Sequence, residues 1–181
     1  MYNRYYIKLD ISLINKIFIL ISGFTILIIT IYGLILSVLG YTTEGAITIG
    51  EALVSIEWPL DFFAKPVTYL SFGIVCFIYN ILQYYKNQIT KLNTFSRNML
   101  LFICFIFIFG SGYEVLYNFT VWGALMSAEA ISGYINPDFL NIAYPNPNTP
   151  WNLVFATKIF LAIFTSSLYS FYFLATNQSQ K

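Results

Sequence analysis

Histidine is missing altogether from the 181 residues of this chain. Imidazole is a usual ligand of haem iron, zinc and copper, and it is the most frequent general base near neutral pH. Its absence argues against most catalytic classes and against the common metal sites. We therefore predict that the chain holds no cofactor and no metal and is not an enzyme by itself. An accessory role within an enzyme complex stays open.

Charge is also scarce, since only 9% of the residues are charged and the formal net charge is +1. Soluble domains carry about 25% charged residues and are about half apolar. Here 58% of the residues are hydrophobic and the mean hydropathy is +0.70. These values predict an integral membrane protein whose first partner is the lipid bilayer. No basic cluster is dense enough to bind nucleic acid, so nucleic acid is excluded as a partner.

The apolar residues fall into four long runs. Each run has at least 19 residues, and at 1.5 Å per residue such a helix spans about 30 Å of hydrocarbon. The chain is therefore predicted to be all-α, an integral membrane four-helix bundle formed by a single membrane domain, residues 1–181. The four spans are expected at about 17–39, 67–85, 99–125 and 151–175, with the third able to continue helically to Ala128.

The first connection, residues 41–65, is acidic and contains a helix start signal. Thr48 and Glu51 have the spacing of a capping box, and Trp58 is followed by a proline that stops a helix. We predict a short helix over about residues 49–57 that lies along the outer interface. Its Leu53 and Ile56 would then face lipid, with Glu51 and Glu57 facing water. The alternative is an acidic ligand-binding loop.

The connections differ in charge, and this difference predicts the orientation. Residues 86–98 are predicted to form a short basic loop, whereas the loop after the third span carries two acids and no base. Positive residues favour the cytoplasmic side, so both chain ends are placed in the cytoplasm of a multi-pass cell-membrane protein. Seven of the nine bases lie in the N-terminal segment, the second loop and the C-terminal segment: Arg4, Lys8, Lys16, Lys86, Lys91, Arg97 and Lys181.

Glu114 and Lys158 are the charges that lie inside the apolar runs of the third and fourth spans. Counting from the span ends at helical rise places them within about 2 Å of each other along the membrane normal. Glu114 recurs with Gly110 and Asn118 at four-residue spacing. On the fourth span Lys158 begins a similar series: Lys158, Ala162, Ser166 and Ser170. Such polar and small stripes are expected to face each other or a shared interior.

These polar residues allow two interpretations. In the structural one, Glu114 and Lys158 form an ion pair, or Lys158 extends to the outer headgroups while Glu114 is protonated. In the functional one, they form with Asn118 a polar pocket that passes a cation, a proton or a small solute. Asn80, in the second span, is expected to hydrogen-bond across to another helix. The chain shows no repeated halves of the kind that many transporters have.

One loop carries a resemblance to known proteins. Asn136-Pro137-Asp138 and the segment over residues 145–154, PNPNTPWNLV, resemble uncharacterised small four-helix membrane proteins of ammonia-oxidising archaea. The resemblance implies an accessory subunit of the archaeal ammonia monooxygenase or of another respiratory membrane complex. Without histidine, the chain itself is not expected to bind the copper of such an enzyme. We therefore expect a non-catalytic subunit or scaffold that associates with other membrane subunits; the alternative is a small protein translocating a cation, proton or solute.

Overall fold

The computed structural model describes residues 11–43, 49–55, 64–133 and 153–177. These residues form α-helices and short turns, and no strand is found among them. The helices are α1 (Ile11–Thr43), α2 (Ile49–Ser55), α3 (Pro66–Tyr84), α4 (Lys86–Ile89), α5 (Thr94–Ser132) and α6 (Leu153–Thr176). The all-α class is confirmed.

Four of these helices are long and apolar enough to cross a membrane, namely α1, α3, α5 and α6. The chain is therefore a multi-pass helical membrane protein, as predicted. The helix bounds agree closely for the second span, where Pro66 occupies the first turn without needing an N–H partner. The first span is longer than predicted, because the helix continues through residues with polar side chains at both ends.

The third membrane helix begins earlier than the sequence suggested. The side chain of Asn93 accepts a hydrogen bond from the backbone N–H of Ser96 at 2.7 Å, which caps the start of α5. The prediction that residues 86–98 form a loop is therefore wrong at both ends, because α4 covers Lys86–Ile89 and α5 begins at Thr94. At the other end, α5 stops at Gly133, whose φ of 82° is the left-handed conformation that glycine adopts easily.

The four long helices pack as an open bundle in the spatial order α1, α3, α6, α5. Gly23 of α1 faces Phe77 of α3, whereas Gly73 further back on α3 faces Ile26, so this pair is antiparallel. By contrast α3 and α6 are parallel. Ser71 contacts Lys158, and further along both helices Gln83 contacts Tyr169. Within the described residues α1 and α5 make no extensive contact.

The short helix α2 fills the end of the bundle rather than lying free on its surface. Leu53 and Val54 are each only 1% exposed, and Leu53 lies against Gly33 of α1. The predicted short helix is confirmed, but the expectation that Leu53 faces lipid is wrong. The helix turns its apolar side into a protein core, which it shares with α1, α3 and α6: Ile29, Leu53, Val54, Val67, Leu70 and Phe155. Ile56 and Glu57 lie outside the described residues.

Candidate functional site

Lys158 is held by the parallel helix α3. Its ammonium donates a hydrogen bond to Thr68 Oγ1 at 2.6 Å, and Ser71 Oγ donates to its backbone carbonyl at 3.2 Å. Thr68 precedes Ser71 by nearly one helical turn, so the ammonium lies about 5 Å closer to the start of α3 than the lysine backbone does. Helical side chains tilt toward the N-terminus of their own helix, and α6 runs in the same direction as α3. Lys158 therefore extends toward the membrane surface at which α3 begins.

Glu114 lies partly buried on α5. It makes no hydrogen bond or ion pair with a described residue, and a direct ion pair with Lys158 is not among the contacts of the described chain. The predicted pairing through a single water stays a prediction. Lys158 reaching toward a membrane surface matches one of the structural interpretations given above, in which that lysine extends to headgroups.

Helices α5 and α6 run in opposite directions. Gly112 faces the ring of Phe164, and Arg97 near the start of α5 reaches Leu174 near the end of α6. The equal depth of Glu114 and Lys158 expected from the sequence stays a prediction.

Asn118 lies in the seam between α5 and α6 and is 2% exposed. Its amide nitrogen has no hydrogen-bond partner among the described residues, and the same holds for Ser166 Oγ. Ser111, seven residues before Asn118, is also buried, and its hydroxyl donates to Phe107 O of its own helix. The seam therefore follows the seven-residue spacing of packed helices.

Gly110 does not belong to this seam. It is exposed, and a Cβ built on it would meet no atom within 4 Å. The prediction that Gly110, Glu114 and Asn118 share one interior face is therefore wrong. Side chains four residues apart on a helix point in directions that differ by about 40° around the helix axis. The series therefore turns from the open surface at Gly110 into the seam at Asn118.

Asn80 is buried at 7% exposure, but its amide donates to Cys76 O of its own helix at 2.7 Å. The expected bond across to another helix is instead made by Gln83, whose amide donates to Tyr169 Oη of α6 at 2.6 Å. Gln83 has a longer side chain than Asn80, which lets its amide pass beyond its own helix. This residue had no role in the sequence prediction, although it is the other amide in the same span.

Arg97 makes a further polar contact. The sequence did not predict this contact, because residues 86–98 were assigned to a loop. Its guanidinium donates to Leu174 O in the last turn of α6, where carbonyl groups lack partners within the helix. Its Nε is buried without a partner among the described residues. The signal that could have revealed it is Asn93 as an N-cap four residues earlier.

Two grooves flank α6 near Lys158. The groove between α3 and α6 has a volume of about 370 Å³ and includes Phe72, Val75 and Thr165 in its lining. The groove between α5 and α6 has about 300 Å³ and includes Phe119 and Trp122. Lys158 and Leu161 line both grooves. Leu161 is 45% exposed, so these two residues form a ridge between the grooves.

Comparison of the chain with protein families, with curated proteins and with solved structures found no match. The resemblance to membrane proteins of ammonia-oxidising archaea stays a prediction, as do the expectations of no cofactor and no catalytic activity. Residues 136–138 and most of the segment 145–154 lie outside the described residues.

Proposed function

We propose that this chain is a non-catalytic integral membrane subunit or scaffold of a larger membrane protein complex. The observation that carries the proposal is Glu114, an acid within a membrane helix that no described residue pairs with. Acidic groups in a bilayer are costly unless a cation or a hydrogen-bond donor meets them. A helix of another subunit that presents such a group at the depth of Glu114 would remove this cost.

The surface of α5 supports the same proposal. Among the long helices α5 packs extensively on α6 alone, and Tyr113, the residue before Glu114, is 66% exposed. Gly110 leaves open space one turn before Glu114. Small residues let membrane helices approach closely, so a partner helix would fit against Gly110 and reach the carboxyl of Glu114. The archaeal resemblance suggests ammonia monooxygenase or another respiratory complex as the kind of assembly.

The proposal is tested by extracting the tagged chain from its native membrane in mild detergent, followed by a native gel and mass spectrometry. We expect co-migration with a defined set of membrane subunits. Glu114→Leu should lose these subunits, and the control Leu116→Ala, at an exposed position of the same helix, should keep them. Migration of the wild-type chain alone would contradict the proposal. Cation or solute flux in liposomes that contain only this chain would favour the translocating alternative.

We also propose that both chain ends face the cytoplasm. The support is the distribution of basic residues over the segments between the spans, together with the even number of membrane helices. A reporter that is active only in the cytoplasm, fused after Lys181, should be active. The same reporter inserted within residues 139–144 should be silent, and the reverse pattern would refute the orientation.

A further inference from the structure

The groove between α3 and α6 begins at Thr68 and Lys158 and lies entirely to one side of them. On α3 its other lining residues follow Thr68 by three, four and seven positions, and on α6 they follow Lys158 by the same steps. Because the two helices are parallel, both sets advance away from the start of α3. The groove therefore runs about 10 Å inward from the membrane surface at which α3 begins, with the lysine at its outer end.

The hydroxyl groups that line the groove differ in what they bind. Ser71 and Thr165, further inward, donate to backbone carbonyl groups, so their protons are already used. Thr68 differs, because its oxygen accepts from the Lys158 ammonium and its own proton has no acceptor among the described residues. The inner part of the groove is therefore apolar with its hydroxyls occupied, and the spare donors lie together at the outer end.

Among the described residues that line this groove, Lys158 alone carries a charge. Its ammonium has three N–H donors and uses one of them on Thr68 Oγ1, 2.6 Å away, and no other bond of this ammonium is found within the described chain. The outer end of the groove thus presents a positive charge and two neighbouring donor groups. A carboxylate has the opposite charge and two acceptor oxygens, so it matches both features.

We propose that this groove binds a long-chain fatty acid, with its carboxylate on Lys158 Nζ and Thr68 Oγ1 and its hydrocarbon chain along the groove. One cation at the end of one apolar groove corresponds to one charged head on one chain. The groove has a volume of about 370 Å³ and opens sideways to the bilayer, since Phe72 is 68% and Leu161 is 45% exposed, so the chain enters from the lipid. This site does not depend on the proposed function.

Phe72→Trp places a fluorescent probe at the wall of the groove. The full-length chain that carries this probe and no other tryptophan, with Trp58→Phe, Trp122→Phe and Trp151→Phe, is placed in nanodiscs of phosphatidylcholine. Dibromostearic acid and its methyl ester are then compared as quenchers, because they share the same chain and only the acid has a charged head. We expect the acid to quench at about one-fifth of the concentration of the ester, which is the fold-change for one lysine at a membrane surface.

Lys158→Met should remove this difference between acid and ester, because methionine keeps the apolar side chain without the charge. Thr68→Val should reduce it, since one of the two donor groups is lost. Lys158→Arg should retain it, and so should the control Lys91→Met, at an exposed lysine beyond the other end of α3.

Equal quenching by acid and ester in the probe chain overturns the proposal, and so does a difference that survives in Lys158→Met. Brominated phosphatidylglycerol supplies a negative head on two chains, and quenching by it at a concentration as low as that of the acid overturns the assignment to a fatty acid. Absence of quenching by either acid or ester, as when a protein partner fills the groove, overturns it as well. Should Lys158→Met fail to fold, the comparison of acid and ester in the probe chain and in Thr68→Val decides.

Discussion

Most short polar side chains in the membrane helices bond within their own helix, whereas longer ones reach a neighbour. The hydroxyls of Thr25, Ser71 and Ser170 each donate to the carbonyl four residues earlier in their own helix. Lys158 and Gln83 have longer side chains, and their nitrogen atoms reach a neighbouring helix. The two long side chains thus join neighbouring helices, and among the short ones Ser71 does so as well, because its hydroxyl also lies 3.2 Å from Lys158 O of α6.

At this scale we predict energetic coupling between Lys158 and Thr68. Lys158→Met and Thr68→Val should each destabilise the chain, and the double variant should lose about 1 kcal/mol less than the sum, because both remove the same hydrogen bond. Thermal unfolding in detergent measures this. Thr25→Val is the control, since its hydroxyl bonds within α1, and its effect should add to that of Lys158→Met.

The same assay decides the predicted pairing of Glu114 with Lys158. Pairing through a water requires that Glu114→Gln and Lys158→Met give less than additive losses of stability. Additive losses would refute the pairing and leave Thr68 as the partner of the lysine.

Arg97 gives a second prediction at the residue scale. Arg97→Met removes the hydrogen bond to Leu174 O and should destabilise the chain by about 1.5 to 3 kcal/mol, the range for bonds that involve a charged group. The exposed Lys91→Met should change stability by less than about 0.5 kcal/mol. Unfolding in detergent compares the two variants, and equal effects would contradict the role of Arg97 in joining α5 to α6.

At the scale of elements, α2 connects three of the membrane helices. Its seven residues contact α1, α3 and α6, and its Leu53 and Val54 belong to the same buried cluster as Ile29 of α1. A glycine at position 33 makes this packing possible. A Cβ there would lie 3.0 Å from Leu53 Cγ, closer than ordinary contact.

We therefore predict that Gly33→Val destabilises the chain by about 1 to 3 kcal/mol, because the added side chain overpacks the contact with Leu53. Gly110→Val is the matched control, since a Cβ at Gly110 meets nothing within 4 Å. It should leave thermal stability in detergent within about 0.5 kcal/mol of the wild-type chain. Similar losses for both glycines would show that α2 does not pack closely at Gly33.

At the scale of the whole molecule, the open order α1, α3, α6, α5 leaves the two outer helices each covered by one long helix. Only 6% of the residues in the apolar window of α5 are buried, against 22% for α3. Of the four long helices α5 thus has the smallest buried share, which agrees with its proposed role in assembly.

Cross-linking in membranes tests this order. In a chain with Cys76→Ser and Cys104→Ser, a short bifunctional maleimide should join Gly23→Cys to Phe77→Cys, and Gly112→Cys to Phe164→Cys, because these positions are in contact. The pair Gly23→Cys and Phe164→Cys lies on helices that are not neighbours and should stay unlinked. Efficient linking of that third pair would contradict the spatial order.

The sequence by itself determined the helical class, the four membrane helices and their approximate ends. Lipid cannot hydrogen-bond to the backbone, so a long apolar run must be helical whatever its neighbours are. The charged residues Lys65 and Lys86 bound the second apolar run, so the predicted span 67–85 differs from α3 by one residue at each end.

Only the tertiary structure decided how each helix is rotated and how it is shifted along its neighbours. In lipid, apolar faces have no preference between acyl chains and another helix, so rotation and register depend on close packing. Leu53 fits against Gly33, and Phe164 against Gly112, and contacts of this kind set the rotation and the register of the helices. Counting residues from span ends is uncertain by about one helical turn, roughly 5.4 Å, which is why the sequence alone could not decide what either charge binds.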